Sequence, residues 1–210
     1  MKCLESPHWK RRVRLELWYG QQPATLGERI ARYTQACNDG KAASPHAWYT
    51  KYFDVPSGTV QNDVLFELLN LYARPNEASE ASLCNVFAPG ANTPDRLLDY
   101  RMSWHLYIVL DAIGGFRDLT SHQRAHIQNS YMHQLEVTGH WEWAVFVALH
   151  DPSPARRTVL VKQLLQRHYP ALANQQARSY REKRAFLLNQ LHIPESVRAH
   201  FDRLLRLFCF

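Results

Sequence analysis

The sequence predicts an all-α protein, an irregular helical stack resembling an α-solenoid trunk built from antiparallel helix pairs. Three observations predict it. Apolar residues recur at three- and four-residue steps in most segments that lie between Pro, Gly and Asn clusters. The one run with strand character, "AVFVAL", has no second run to pair with. Two periodic segments are joined at Gly139 by a very short connection, which forces those successive helices to lie side by side.

The elements follow in order. "PHWKRRVRLELWYG" puts Trp9, Val13 and Leu17 at helical spacing with Trp18 one step round, Pro7 near the start and Gly20 at the end. This is an amphipathic helix with a basic outer face. Residues 23–37 repeat the pattern through Leu26, Ile30, Tyr33 and Cys37, and "NDGKAASP" breaks it. Residues 38–59 read as a loop with one helical turn around Trp48 to Phe53. "VQNDVLFELLNLYA" carries Val64, Leu65, Leu68, Leu69 and Tyr72 along a stripe. A Pro/Asn/Gly-rich stretch follows, with a short helix at Ala78 to Phe87.

Residues 95–115 are apolar nearly all round, which predicts a helix enclosed by protein, capped by Gly114-Gly115. Residues 119–138 open on Thr120 or Ser121 as N-cap and place Ile127, Tyr131 and Leu135 at four-residue steps. Gly139 ends that helix and "HWEWAVFVALH" starts the next, so the two form a helical hairpin. "DPSPARRTVLVKQLLQRHY" offers Asp151 or Ser153 as cap, Pro154 in the first turn, and Val161, Leu164 and Leu165 inside. Two further helices are expected at about 176–191 and 195–208, separated by Pro194. All 210 residues are expected to form a single helical domain.

The totals bound the function. At 46% hydrophobic and 21% charged, the 210 residues belong to a folded chain and not a disordered one. No apolar run approaches the eighteen or so residues of a membrane span, and "MKCLESPHWKRRVR" has no apolar signal core. The expectation is a cytoplasmic or nuclear protein. Cys3, Cys37, Cys84 and Cys209 are scattered without a C-x-x-C pair, which fits reduced thiols acting as small hydrophobes. A net charge of +6 is concentrated at Lys10 to Arg14, Arg156 with Arg157, and Arg181 to Arg184.

Catalytic readings find little support. "HQRAH" sets His122 and His126 on one helix face, but Gln123 stands where a zincin needs a glutamate base, so no metal site is expected. His140, His150 and His168 fall near helix ends, where a histidine bonds a free carbonyl or meets water. His105 reads as a hydrogen-bonded core histidine. There is no Walker loop and no G-x-G-x-x-G, so neither a cofactor nor an enzymatic activity is expected. Trp104, Trp141, Trp143 and Phe146 read first as core, because aromatic burial is among the largest apolar contributions to folding.

Three segments carry a resemblance: "LLDYRMSWHLYIVLDAI", "YMHQLEVTGHWEWAVFVALH" and "VKQLLQRHY". Together they resemble the nucleoporin 96 family, whose stretch here runs D-Y-R-x-S-W-H-L, then Q-L-E-x-x-G-x-W-E-W-A-x-F-V-x-L-H, then L-L-x-R-H. The core matching positions are Tyr100, Trp104, His105, Leu135, Gly139, Trp141, Trp143 and Phe146; Asp99, Arg101, Ser103 and Leu106, then Gln134, Glu136, Glu142, Ala144, Val147, Leu149 and His150, then Leu164, Leu165, Arg167 and His168 also fit the pattern. Weaker likeness covers about residues 8–196.

The resemblance implies an ancestral-coatomer-element trunk and a structural subunit of the Y-shaped nuclear pore subcomplex. It also implies binding to a β-propeller coat protein and to other scaffold nucleoporins, with a part in mRNA export and protein transport. No catalysis and no cofactor belong to this portion of the family. Residues 197–210 diverge from the family, and the chain is expected to be a fragment that starts inside the family's helical region. The alternative from charge alone is a helical RNA-binding module using the basic faces at Lys10 to Arg14 and Arg181 to Arg184.

Overall fold

The computed structural model describes residues 8–20, 24–47, 62–74, 86–89, 98–114, 119–172, 178–194, 197–199 and 203. Among them there are helices and no strand, with one isolated antiparallel bridge between His46 and Asn62. The chain divides into two compact units, residues 1–119 and 120–210. The expected turn at Trp48 to Phe53 and most of the expected helix at Ala78 to Phe87 lie outside the described residues. So does most of the one expected at 195–208, of which 197–199 and 203 are helical.

The first unit is built on α1 (Trp9–Tyr19), α2 (Leu26–Asn38), α3 (Val64–Ala73) and α4 (Arg101–Ala112). The His8 ring caps α1, and Thr25 with Glu28 forms a reciprocal capping box on α2. Trp9, Val13, Ile30, Tyr33 and Phe66 form the core of α1, α2 and α3, with both Trp9 and Tyr33 meeting Phe66 edge-on at 5.7 Å. The Tyr33 hydroxyl donates to the Ala43 carbonyl at 2.6 Å and so ties the loop after α2 to its helix. Burial, then a hydrogen bond with Cys37, pushes the Tyr33 phenol well above its ordinary value.

Arg29 is a charged residue in this interior, 6% exposed. Its guanidinium donates to the carbonyls of Glu16 (3.1 Å), Leu17 (2.7 Å) and Ala24 (3.2 Å). It thereby closes the carbonyl end of α1, where the last turn lacks intrahelical partners and the helix dipole favours a cation.

Two stripes differ from the sequence expectation. In α3 the inward residues are Phe66, Leu69 and Ala73, together with buried Leu71, while Leu65 and Tyr72 are 54% and 78% exposed. The segment VLFELLNLYA is apolar round most of its circumference and its polar Glu67 is itself buried, bonded by Asn62 at 2.6 Å, so periodicity does not choose its inner face. In α4, likewise, the enclosed helix expected from its composition is replaced by one with an open side. Ser103, Trp104 and Tyr107 are buried, but Met102, Val109 and Ile113 are all more than half exposed. Gly114, at φ +69°, ends this helix as predicted and donates to the Asp111 carbonyl.

The second unit contains α5 (Ser121–Val137), α6 (Trp141–Leu149), α7 (Pro154–Leu172) and α8 (Arg178–Ala185), the last continuing into one π-helical turn, Phe186–Gln190. Thr120 is the N-cap of α5, in a capping box with Gln123. Gly139, at φ +81°, ends it: its N–H donates to Glu136 and that of His140 to Leu135, a Schellman motif. A side chain at Gly139 would strain this left-handed backbone. The tight turn delivers α6 straight back along α5, which is the expected hairpin. Ala144, Val145, Val147 and Ala148 of α6 are at most 1% exposed, and buried Gln128 of α5 donates to the Val147 carbonyl at 3.0 Å. Val161, Leu164 and Leu165 of α7 are buried as predicted. Ser153 caps α7, while buried Asp151 holds Arg156 at 3.1 Å and offers its carbonyl to Arg157.

Candidate functional site

The motif residues fall in both units. In the first, Tyr100 leads into α4, Trp104 is buried, and His105 bonds the Arg101 carbonyl through Nδ1 at 2.7 Å. His105 is hydrogen-bonded as expected but exposed, so it is not a core residue. One turn of α4 separates it from Arg101, and that turn carries it to the open side.

In the second unit α5, α6 and α7 bring Leu135, Gly139, Trp141, Trp143 and Phe146 together with the third motif segment. Trp141 is 3% exposed and lies flat against the His168 ring, centroids 5.1 Å apart with planes 7° apart. The Lys183 ammonium stands 5.4 Å from the Trp141 ring centre and pairs with Glu142 at 3.0 Å.

Glu136, in the last turn of α5, takes Arg167 in a two-pronged bond at 3.0 and 2.9 Å and meets His168 Nε2 at 2.8 Å. Burial works to raise its pKa, but the hydrogen bonds from Arg167 and His168 outweigh it and hold the carboxyl below its ordinary value. An ionised Glu136 requires the proton on His168 Nε2, so the ring donates there.

The chemistry of this cluster is locking. Glu136 is ionised, saturated with donors and placed across two helices, the opposite of a carboxyl poised to exchange a proton near neutral pH. Leu135 is half-buried beside it. Trp143 departs from the core expectation: it is 46% exposed, its ring against Phe146 at 6.0 Å and Phe186 at 4.8 Å. The inner side of α6 is already filled by Trp141, Ala144 and Ala148, so Trp143 is turned outward.

His150 bonds the Phe146 carbonyl at 2.9 Å, the helix-end role expected of it, whereas His140 meets the Thr138 hydroxyl. His168 is neither a helix-end cap nor free, because Glu136 and Trp141 claim it. His122 and His126 are both exposed. Among the described residues no three His, Cys, Asp or Glu side chains group to hold a metal ion, and no helix is long and apolar enough to cross a membrane.

Sequence reasoning on residue types missed the Glu136–Arg167–His168 junction and the burial of Arg29. The resemblance had the signal for the first, since all three junction residues stand in its pattern. Arg29 gave none, because an arginine on an amphipathic helix reads as solvent-facing.

Comparison with known proteins agrees with these features. The family model described as Nuclear protein 96 matches residues 1–200. The chain is 32% identical over 201 residues, 93% of its length, to the Nuclear pore complex protein Nup98-Nup96 of Drosophila melanogaster. It is 37% identical over 139 residues, 63% of its length, to the protein of the same name from Dictyostelium discoideum. It is 28% identical over 165 residues, 75% of its length, to the Nuclear pore complex protein NUP96 of Arabidopsis thaliana. It spans only 10%, 6% and 15% of those three relatives. With an all-α fold, a motif cluster joining three helices and a family match over nearly its whole length, the chain belongs to the Nuclear protein 96 (Nup96) family.

Proposed function

We propose that the chain is a structural nucleoporin that works at the nuclear pore complex of the nuclear envelope. More specifically, it is a scaffold piece of the Y-shaped subcomplex that supports pore assembly, and through it mRNA export and nucleocytoplasmic protein transport. Its partners in this reading are other scaffold nucleoporins and a β-propeller coat protein. It acts by shape, without catalysis, and residues 1–210 serve as one helical scaffold domain.

The observation that carries the reading is the family match over residues 1–200. The structure supports it through its investment in rigidity, since the side chains at the motif cluster bind one another across α5, α6, α7 and α8. The eight motif positions, Tyr100, Trp104, His105, Leu135, Gly139, Trp141, Trp143 and Phe146, then set helix packing, with Trp143 half exposed.

The test is affinity purification of the tagged endogenous chain with mass spectrometry of what accompanies it. Recovery of the Y-shaped scaffold subunits and the propeller in near-equal amounts is expected. Recovery of none of them from a soluble, folded chain would overturn the reading.

A further inference from the structure

The outer side of α1 is not explained by folding. Trp9, Val13 and Leu17 turn into the core, so at 100° per residue the opposite side carries Arg11 and Trp18 with half-buried Leu15, while Arg14 and Tyr19 stand on its two flanks. Arg11 and Arg14 are exposed and have no ion-pair partner among the described residues, and Trp18 and Tyr19 are 73% and 83% exposed. Lys10 flanks them, its ammonium 3.5 Å from Asp63.

The charge is also on the wrong end for helix stability. α1 has no acidic residue in its first turn, and Lys10, Arg11, Arg12 and Arg14 crowd its amino end, where the macrodipole favours anions. Cations kept where they oppose the dipole, and large aromatics kept in water, are together suited to an anionic ligand with flat apolar faces.

We infer that the outer face of α1 binds single-stranded nucleic acid, Arg11 and Arg14 taking backbone phosphates while Trp18 and Tyr19 stack on bases. This goes beyond the scaffold role and does not rest on it. Arg11 and Trp18 lie on one line of the helix, about 10 Å apart at ~1.5 Å rise per residue, with Arg14 at a height between them and to one side. Stacking needs unpaired bases, which selects a single strand over a duplex. A lipid surface fits less well, because the apolar face of α1 that would enter it is already packed in the core. In the other basic clusters Arg156 and Arg157 are held by Asp151, and Lys183 by Glu142.

The experiment is fluorescence anisotropy of a labelled single-stranded 20-mer of poly(U) against the full chain across a salt series. Its companions are the same length of duplex RNA and phosphatidylcholine/phosphatidylserine vesicles. Arg11→Gln with Arg14→Gln is expected to lower affinity about tenfold or more and to flatten the slope of log K against log salt by about 1.4, at ~0.7 per phosphate on a single strand. Trp18→Ala is expected to lower affinity about tenfold with the slope unchanged, and Trp18→Phe to restore most of it.

These side chains are outside the core, so far-UV circular dichroism should be the same for all variants. Absence of binding at low salt, binding indifferent to these substitutions, tighter binding to the duplex, or binding to vesicles but not to RNA would each overturn the inference.

Discussion

Replacing Glu136 by Gln removes one charge and keeps the shape of the side chain. In the wild type this carboxylate is 15% exposed, accepts two bonds from Arg167 and one from His168, and joins the end of α5 to α7. A solvent-exposed pair would contribute under ~1 kcal/mol, and Arg167, at 55% exposed, recovers water when released. The largely covered carboxylate loses charge-assisted bonds that only partly return to an amide oxygen. The expected cost is therefore about 1–2 kcal/mol. At roughly 2–4 °C per kcal/mol for a chain of this size, Tm falls by about 2–8 °C at pH 7.

The pH dependence separates charge from shape. Because the folded-state pKa of Glu136 is held below the ordinary 4.5, its stabilisation is fully present above the unfolded value and is lost as pH falls through the folded one. Melts followed by circular dichroism should show the wild type above E136Q at pH 7. The two should converge as the solution is taken well below pH 4.5. A gap that stays constant down to strongly acidic pH, or no gap at pH 7, would refute the ion-pair account.

Two further outcomes follow from the packing. Trp141→Ala, which empties a buried site and removes the stack on His168, should cost about 3–5 kcal/mol. Trp143→Ala, from a half-exposed site, should cost about 1 kcal/mol, and chemical denaturation of the two variants should give that order. Arg29→Met leaves the carbonyls of Leu17 and Ala24 without this donor, Glu16 keeping the Gly20 N–H, and should cost about 2–3 kcal/mol. Hydrogen exchange should accelerate most in the last turn of α1; acceleration spread evenly over the unit would contradict the capping role.

Helices and their ends were largely legible because they depend on local chemistry. Thr120 ahead of a helix, Gly139 and Gly114 after one, and Pro154 in a first turn each act within a few residues of where they stand. The inner faces of α2, α5 and α7 were legible for the same reason, since polar residues mark their outer sides.

Where that contrast fails, the reading fails. α3 and α4 are apolar round most of their circumference and each buries a polar residue, Glu67 and Ser103, so the side that meets the core is decided by neighbours distant in sequence. Trp143 was expected inside because tryptophan usually is, yet Trp141 two residues earlier occupies the inner site. Glu136 and Arg167 are 31 residues apart and meet only because two helix lengths bring them level. Arg29 is buried for the sake of another helix's carbonyls, a demand that its own segment does not record.

The most direct test of the central claim is the location of the chain in cells, tagged at its own locus and imaged against an established pore marker. Membership of a pore scaffold predicts a punctate nuclear rim coincident with the marker and unchanged when transport cargo is withheld. A diffuse nuclear or cytoplasmic signal from intact, folded protein would contradict it.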